Sequence, residues 1–97
     1  MARVLIPIGA FLEFVRSLEG EVIPTRAGGS AFTVRVLEKK LEFTPTSSGT
    51  PRGHTFRYVQ KVLDQFQETG SWTTTDYRFT VNASYQLTLI DRYLAHL

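Results

Sequence analysis

One stretch of the chain concentrates groups that bind anions. Thr44, Thr46, Ser47, Ser48, Thr50 and Thr55 supply six hydroxyls within twelve residues. Gly49 and Gly53 would let the backbone approach a ligand closely. Arg52 adds a planar fork of donors that matches phosphate or carboxylate. The loop then feeds a segment of helical periodicity, and a helix start favours an anion through its unpaired N–H groups and dipole. These residue types point to anion binding, with Ser47, Ser48 and Thr50 as neutral donors around Arg52. The same composition also describes an ordinary solvated loop.

The charge order along the following helix sharpens the question. His54, Arg57 and Lys61 fall at offsets 0, 3 and 7, so helical continuation would put them on one face. Asp64 and Glu68 follow towards the C-terminus. A helix dipole prefers acids first and bases last, and each misplaced exposed charge costs about 0.3–1 kcal/mol at low salt. Arg57 and Lys61 also repel each other at i,i+4 by a few tenths of a kcal/mol. A base-first helix makes sense if an external anion sits at its start. The plainer alternative is that Arg52 or Arg57 pairs with Glu38 or Glu42.

A second basic group comprises Arg35, Lys39 and Lys40, with Arg26 in the turn before it. A basic hairpin beside a basic helix start can track a phosphate backbone, as the wings of winged-helix proteins do. Glu38 and Glu42 lie in the same hairpin, however, and charged tips also protect sheet edges from aggregation.

Other chemistries find little support. Gly49-Thr50-Pro51-Arg52-Gly53-His54-Thr55 has three residues between its glycines, where a P-loop needs four. His54 also stands at the position of the P-loop lysine. With no cysteine in the chain, thiolate zinc sites, iron–sulfur clusters, disulfides and cysteine nucleophiles are excluded. His54 and His96 are the only histidines, and no acid is spaced to complete a metal site with them. Asp64, Asp76 and Asp91 have no spacing that marks a catalytic pair. No catalytic residue, metal or cofactor is therefore expected. Trp72, Tyr77 and Phe79 are able to stack on bases, but aromatics near helix ends more often fill a core.

Positioning elements follow from periodicity. Val4 to Ile6 reads as a short strand. A helix runs from Pro7 or Ile8 to about Leu18, with Phe11, Phe14, Val15 and Leu18 on one face and Gly20 as its stop. Glu21 to Thr25 reads as extended, and Ala27-Gly28-Gly29-Ser30 as a flexible turn. Phe32 to Leu37 and Leu41 to Thr44 alternate as a hairpin with Glu38-Lys39-Lys40 at its tip. Prolines and glycines are expected to break regular structure from Thr44 to Gly53. A second helix spans about Thr55 to Thr69, with Phe56, Val59, Val62, Leu63 and Phe66 inward and Gly70 as its stop. Asp76 to Val81 reads as a strand or a short helical turn. A third helix runs from about Asn82 to His96, with Asn82 as its N-cap. The sum is an α+β fold: a small antiparallel sheet of two to four strands with about three packed helices.

The chain has 97 residues, 42% of them hydrophobic and 21% charged, which fits one α+β domain over residues 1–97. A net charge of +2 is too mild to identify a partner, so charge distribution matters more. Arg3 before the apolar run from Val4 to Leu12 resembles the start of a signal peptide. Glu13 and Arg16 interrupt that run, and no small-residue cleavage site follows. The run is also shorter than the ~20 residues that span a bilayer. A cytoplasmic protein with no membrane partner is expected.

One set of features comprises Gly28-Gly29 before Phe32-Thr33-Val34, Leu41 to Pro45, and Ser47-Ser48-Gly49 with Arg52. The Val59 to Phe66 helix, Gly70 and Asn82-Ala83-Ser84-Tyr85 continue it. In these features, from Thr25 to Leu94, the chain resembles short uncharacterised bacterial mobile-element proteins. Some of those are carried on integron gene cassettes, and some are small domains encoded beside restriction genes. The resemblance implies an accessory role in a mobile genetic context and no particular activity.

Three functions are consistent with the residues. The first is a nucleic-acid module in which Arg52, Arg57 and Lys61, with His54 beside them, meet phosphates, and Arg35, Lys39 and Lys40 add a second contact. The second is a homodimeric interaction protein with a seam at Phe14 or Tyr93. The third is an anionic small-molecule pocket lined by Trp72 and Arg52.

Overall fold

A computed structural model describes residues 5–97 of the chain. Three α-helices and four strands follow in the order α1 (Ile8–Arg16), β1 (Ile23–Pro24), β2 (Ala31–Val36), β3 (Lys40–Pro45), β4 (Arg52–Thr55), α2 (Phe56–Thr69) and α3 (Ala83–His96). A short 3-10 turn, Thr74–Tyr77, lies between α2 and α3. The strands form one antiparallel sheet in sequential order, so the fold is α+β with helices packed on a four-stranded meander.

Alternation makes this sheet two-faced. Phe32, Val34, Leu41, Phe43 and His54 are all buried on the helix side. Thr33, Arg35, Glu42 and Thr44 occupy the opposite side and are less buried. The register pairs Val34 with Phe43 and Arg35 with Glu42, so each face carries one kind of residue. The helices bury complementary stripes: Phe11 and Val15 from α1, Val59, Val62, Leu63 and Phe66 from α2, and Leu87, Leu89, Ile90 and Tyr93 from α3.

Four expectations need correction. Val4 lies outside the described residues, and Leu5 and Ile6 form no strand; Ile6 is simply buried as a core residue. The first helix stops at Arg16 and continues to Gly20 only as turns. Regular structure persists through the Pro/Gly-rich stretch, because β3 extends to Pro45 and Arg52–Thr55 forms β4. Pro45 tolerates strand geometry at a strand end, where a missing N–H matters least. Asn82 does not cap α3 with its side chain. Its amide nitrogen donates instead to the Gly53 carbonyl at 3.2 Å, which ties the start of α3 to β4.

Gly70 does end α2 as expected, at φ 66° in the left-handed region. Its N–H donates to the Phe66 carbonyl at 2.7 Å.

Candidate nucleic-acid interface

Strand β4 decides how the basic residues are arranged. Four strand residues separate the hydroxyl-rich loop from α2, about 13 Å at the usual rise. Ser47, Ser48 and Thr50 therefore do not sit at the helix start. They are exposed beside Arg52, at the opposite end of β4. Part of their hydrogen bonding is spent within the loop. Ser48 Oγ accepts from the Thr50 N–H at 3.2 Å, and Thr46 Oγ1 donates to the Ala31 carbonyl at 3.2 Å.

What reaches the helix start is the β2–β3 hairpin. The first helical N–H, from Phe56, donates to the Lys39 carbonyl at 3.2 Å. Lys40 pairs with Thr55 in the β3–β4 register. The Lys40 side chain runs across Gly53, with Cδ 3.3 Å from where a Cβ would stand. A side chain at Gly53 would press on that stem, so glycine gives Lys40 its path over the strand. By register and chain position, Lys39, Lys40 and Arg57 thus belong to the helix-start end of β4, and Arg52 stands at the other. All four are exposed.

Pairing distinguishes these cations from Arg26, Arg35 and Arg92. Arg26 lies 3.7 Å from Asp91, Arg92 lies 3.1 Å from Glu21, and Arg35 lies 3.7 Å from Glu42. Arg26 also rests on the Trp72 ring at 4.2 Å. Among the described residues, no carboxylate comes within ion-pair distance of Lys39, Lys40, Arg52 or Arg57. The expected alternative, Arg52 or Arg57 paired with Glu38 or Glu42, does not occur; Glu42 is taken by Arg35.

His54 leaves the candidate surface. It belongs to β4 rather than α2, and only 1% of it is exposed. Strand alternation turns it inward, opposite Leu41, so it shares no face with Arg57 and Lys61. A chain of hydrogen bonds holds it. Gln86 Nε2 donates to the Val59 carbonyl at 2.9 Å, which leaves Gln86 Oε1 as acceptor for His54 Nε2–H at 2.6 Å. His54 Nδ1 is then the acceptor facing Thr80 Oγ1 at 3.5 Å. Burial holds the imidazole below its ordinary 6.5, and the Gln86 hydrogen bond offsets part of that effect. His54 is a neutral pin between β4, α2 and α3. Asn82 Oδ1 beside this network is buried without a partner.

The aromatic candidates divide. Tyr77 is fully buried and Trp72 packs against Phe66, as the core reading expects. Trp72 meets Arg26, and neither of the hollows described below is lined by Trp72 or Arg52. Of the two residues expected at a seam, Tyr93 is 7% exposed and meets Phe14 edge-on at 5.6 Å, while Phe14 is half-buried. Phe79 behaves differently. It lies within 11° of parallel to the exposed Tyr58, with centroids 6.5 Å apart. The Lys61 ammonium lies over both rings, at 5.8 and 4.9 Å.

Two surface hollows flank this region. One of about 450 Å³ is lined by Lys61, Asp64, Gln65, Glu68 and Phe79. Another of about 440 Å³ is lined by Arg78 with the hydroxyls of Thr74, Thr75, Thr80 and Ser84. Tyr58, Gln86 and Arg78 were not singled out by sequence pattern. Tyr58 carried one usable signal, its position three residues before Lys61. Among the described residues, no cluster of His, Asp or Glu is arranged to hold a metal, and no helix is long and apolar enough to cross a membrane. No protein-family model, curated protein or solved structure matches the chain.

Proposed function

We propose that the protein is a small non-catalytic binding module that engages nucleic-acid phosphates around β4. Lys39, Lys40 and Arg57 meet the backbone at the hairpin and helix start, and Arg52 meets it at the far end of the strand. Ser47, Ser48 and Thr50 add neutral donors beside Arg52. One observation carries the reading: among the described residues these exposed cations have no ion-pair partner, whereas Arg26, Arg35 and Arg92 each have a carboxylate. Phosphates would also satisfy the helix start, where the first turn of α2 holds no acid. The mobile genetic context implied by the sequence resemblance belongs to this same reading.

The test is binding to mixed-sequence duplex DNA as a function of salt. Affinity is expected to fall between roughly 50 and 200 mM salt, with a log–log slope of about −0.9 per phosphate contact. Salt-insensitive binding, or none at low salt, would refute it.

A second reading, a small anionic ligand, draws on the hollow where Arg78 stands among four hydroxyls. It predicts that inorganic phosphate raises the melting temperature and that Arg78→Ala abolishes the rise.

A further inference from the structure

The α2 face beyond Arg57 has a feature that phosphate contacts leave unexplained. Tyr58 is 39% exposed and presents part of its ring to solvent. It lies close to parallel with Phe79, and Lys61 bridges over the pair. Next to this shelf is the hollow of about 450 Å³ that Lys61, Asp64 and Gln65 line with Phe79. Cation, flat aromatic surface and carboxylate therefore follow in order along one helix.

Resting on the phosphate-binding reading, we propose that Tyr58 and Phe79 form a stacking platform for a base of single-stranded nucleic acid. The base lies on the rings, its phosphate turns towards Arg57 and Lys61, and its exocyclic amino edge turns towards Asp64. Other ligand classes fit less of the site. A cationic ring would be repelled by the Lys61 ammonium. A purely apolar ligand would bury the Asp64 carboxylate against nothing. A free inorganic anion would leave the rings unused. A nucleotide is flat, negative at one end and donor-bearing at the other. Arg57 to Asp64 spans about 10 Å of helix axis, long enough for one nucleotide between phosphate and base edge.

Local geometry permits the exchange. Lys61 is exposed, so its side chain can leave the rings for the incoming phosphate. Asp64 Oδ1 accepts from Gln60 Nε2 at 2.8 Å, which orients the carboxylate and keeps Oδ2 for a ligand donor. Tyr58 itself rests near-parallel to the buried His54 ring, 19° off with centroids 6.4 Å apart, so the platform is backed by the core. This placement also accounts for the base-first order of α2. The cations face the phosphate at the helix start, and Asp64 faces the amino group farther along.

The test compares a mixed-sequence single strand with a strand of equal length lacking its bases, by fluorescence anisotropy at fixed salt. The protein is expected to prefer the base-bearing strand by about tenfold, the scale of one aromatic stack. Tyr58→Ala should erase that preference and leave affinity for the abasic strand unchanged. Tyr58→Trp should keep it. Equal affinity for the two strands in the wild-type protein would overturn the proposal, while salt-dependent binding of both would leave the phosphate reading intact. A Tyr58→Ala variant that loses affinity for both strands alike would also overturn it. Should Tyr58→Ala fail to fold, the wild-type comparison decides alone. Failure of even the abasic strand to bind at low salt would refute the phosphate reading, and this proposal with it.

Discussion

Two sides of the molecule treat their charges in opposite ways. Where the chain leaves α1 and enters β1, Arg92 of α3 reaches Glu21, and Arg26 is held by Asp91 and the face of Trp72. These arginines fasten the turns on either side of β1 to α3, and their charge is used inside the protein. Around β4, Lys39, Lys40, Arg52 and Arg57 are exposed, and no carboxylate among the described residues lies within ion-pair distance of them. Net charge hides this contrast, because +2 averages over both sides. A paired arginine is part of the architecture. A cluster of unpaired cations raises local potential and attracts an external anion. It also costs some stability through mutual repulsion, which a bound phosphate backbone would relieve.

The largest effect should come from erasing one side. Replacing Lys39, Lys40, Arg52 and Arg57 together with glutamine is expected to lower nucleic-acid affinity by about 100-fold or more at low salt, since each lost phosphate contact also flattens the salt slope by nearly one. The double variant Arg26→Gln and Arg92→Gln removes two charges already paired with Asp91 and Glu21 and should leave affinity within about threefold. Anisotropy titrations of the two variants compare the sides directly.

His54 links the basic strand to the core, and its removal should be the next largest effect. His54→Ala leaves a cavity and strips Gln86 of its partner, so a stability loss of about 2–4 kcal/mol is expected in urea unfolding. The wild-type protein should also lose stability in acid. The folded imidazole titrates below 6.5, so the unfolded chain binds the proton first. The contribution is complete above about pH 6.5 and is lost as pH falls through the folded value. His54→Ala should lack that component, which unfolding curves at several pH values would reveal.

The paired arginines should register in stability alone. Arg26→Ala removes a ring contact together with an ion pair, and a loss of about 1 kcal/mol is expected. Arg35→Ala breaks only a solvent-facing pair at 3.7 Å and should cost less than about 0.5 kcal/mol. Equal losses for the two would mean that the Trp72 contact adds nothing.

The parts of the fold with strong periodicity were legible from residues alone. Phe32, Val34 and Leu41, Phe43 alternate cleanly, and Val59 to Phe66 repeats at helical spacing, so the hairpin and α2 were expected with near-correct bounds. Strand β4 was not, for a physical reason. Arg52-Gly53-His54-Thr55 has no large apolar residue, and its only buried side chain is an imidazole satisfied by Gln86, 32 residues away. Pairing with β3 and the Asn82 bond to Gly53 make it a strand, and neither leaves a local pattern. The missed strand rearranged the candidate site. It moved Ser47, Ser48 and Thr50 away from the helix start and turned His54 inward. It also brought Lys39 and Lys40 to Arg57 through a register that only the folded sheet specifies. The residue types suited to phosphate were readable; their grouping was not.

The most direct test of the central claim is the salt dependence of duplex DNA binding for the wild-type protein and for Lys40→Gln/Arg57→Gln. Removal of two phosphate contacts at the hairpin and helix start should reduce the magnitude of the log–log slope by about 1.8 and weaken every sequence alike. An unchanged slope in the double variant would show that β4 and its cations do not face the nucleic acid, and would contradict the account.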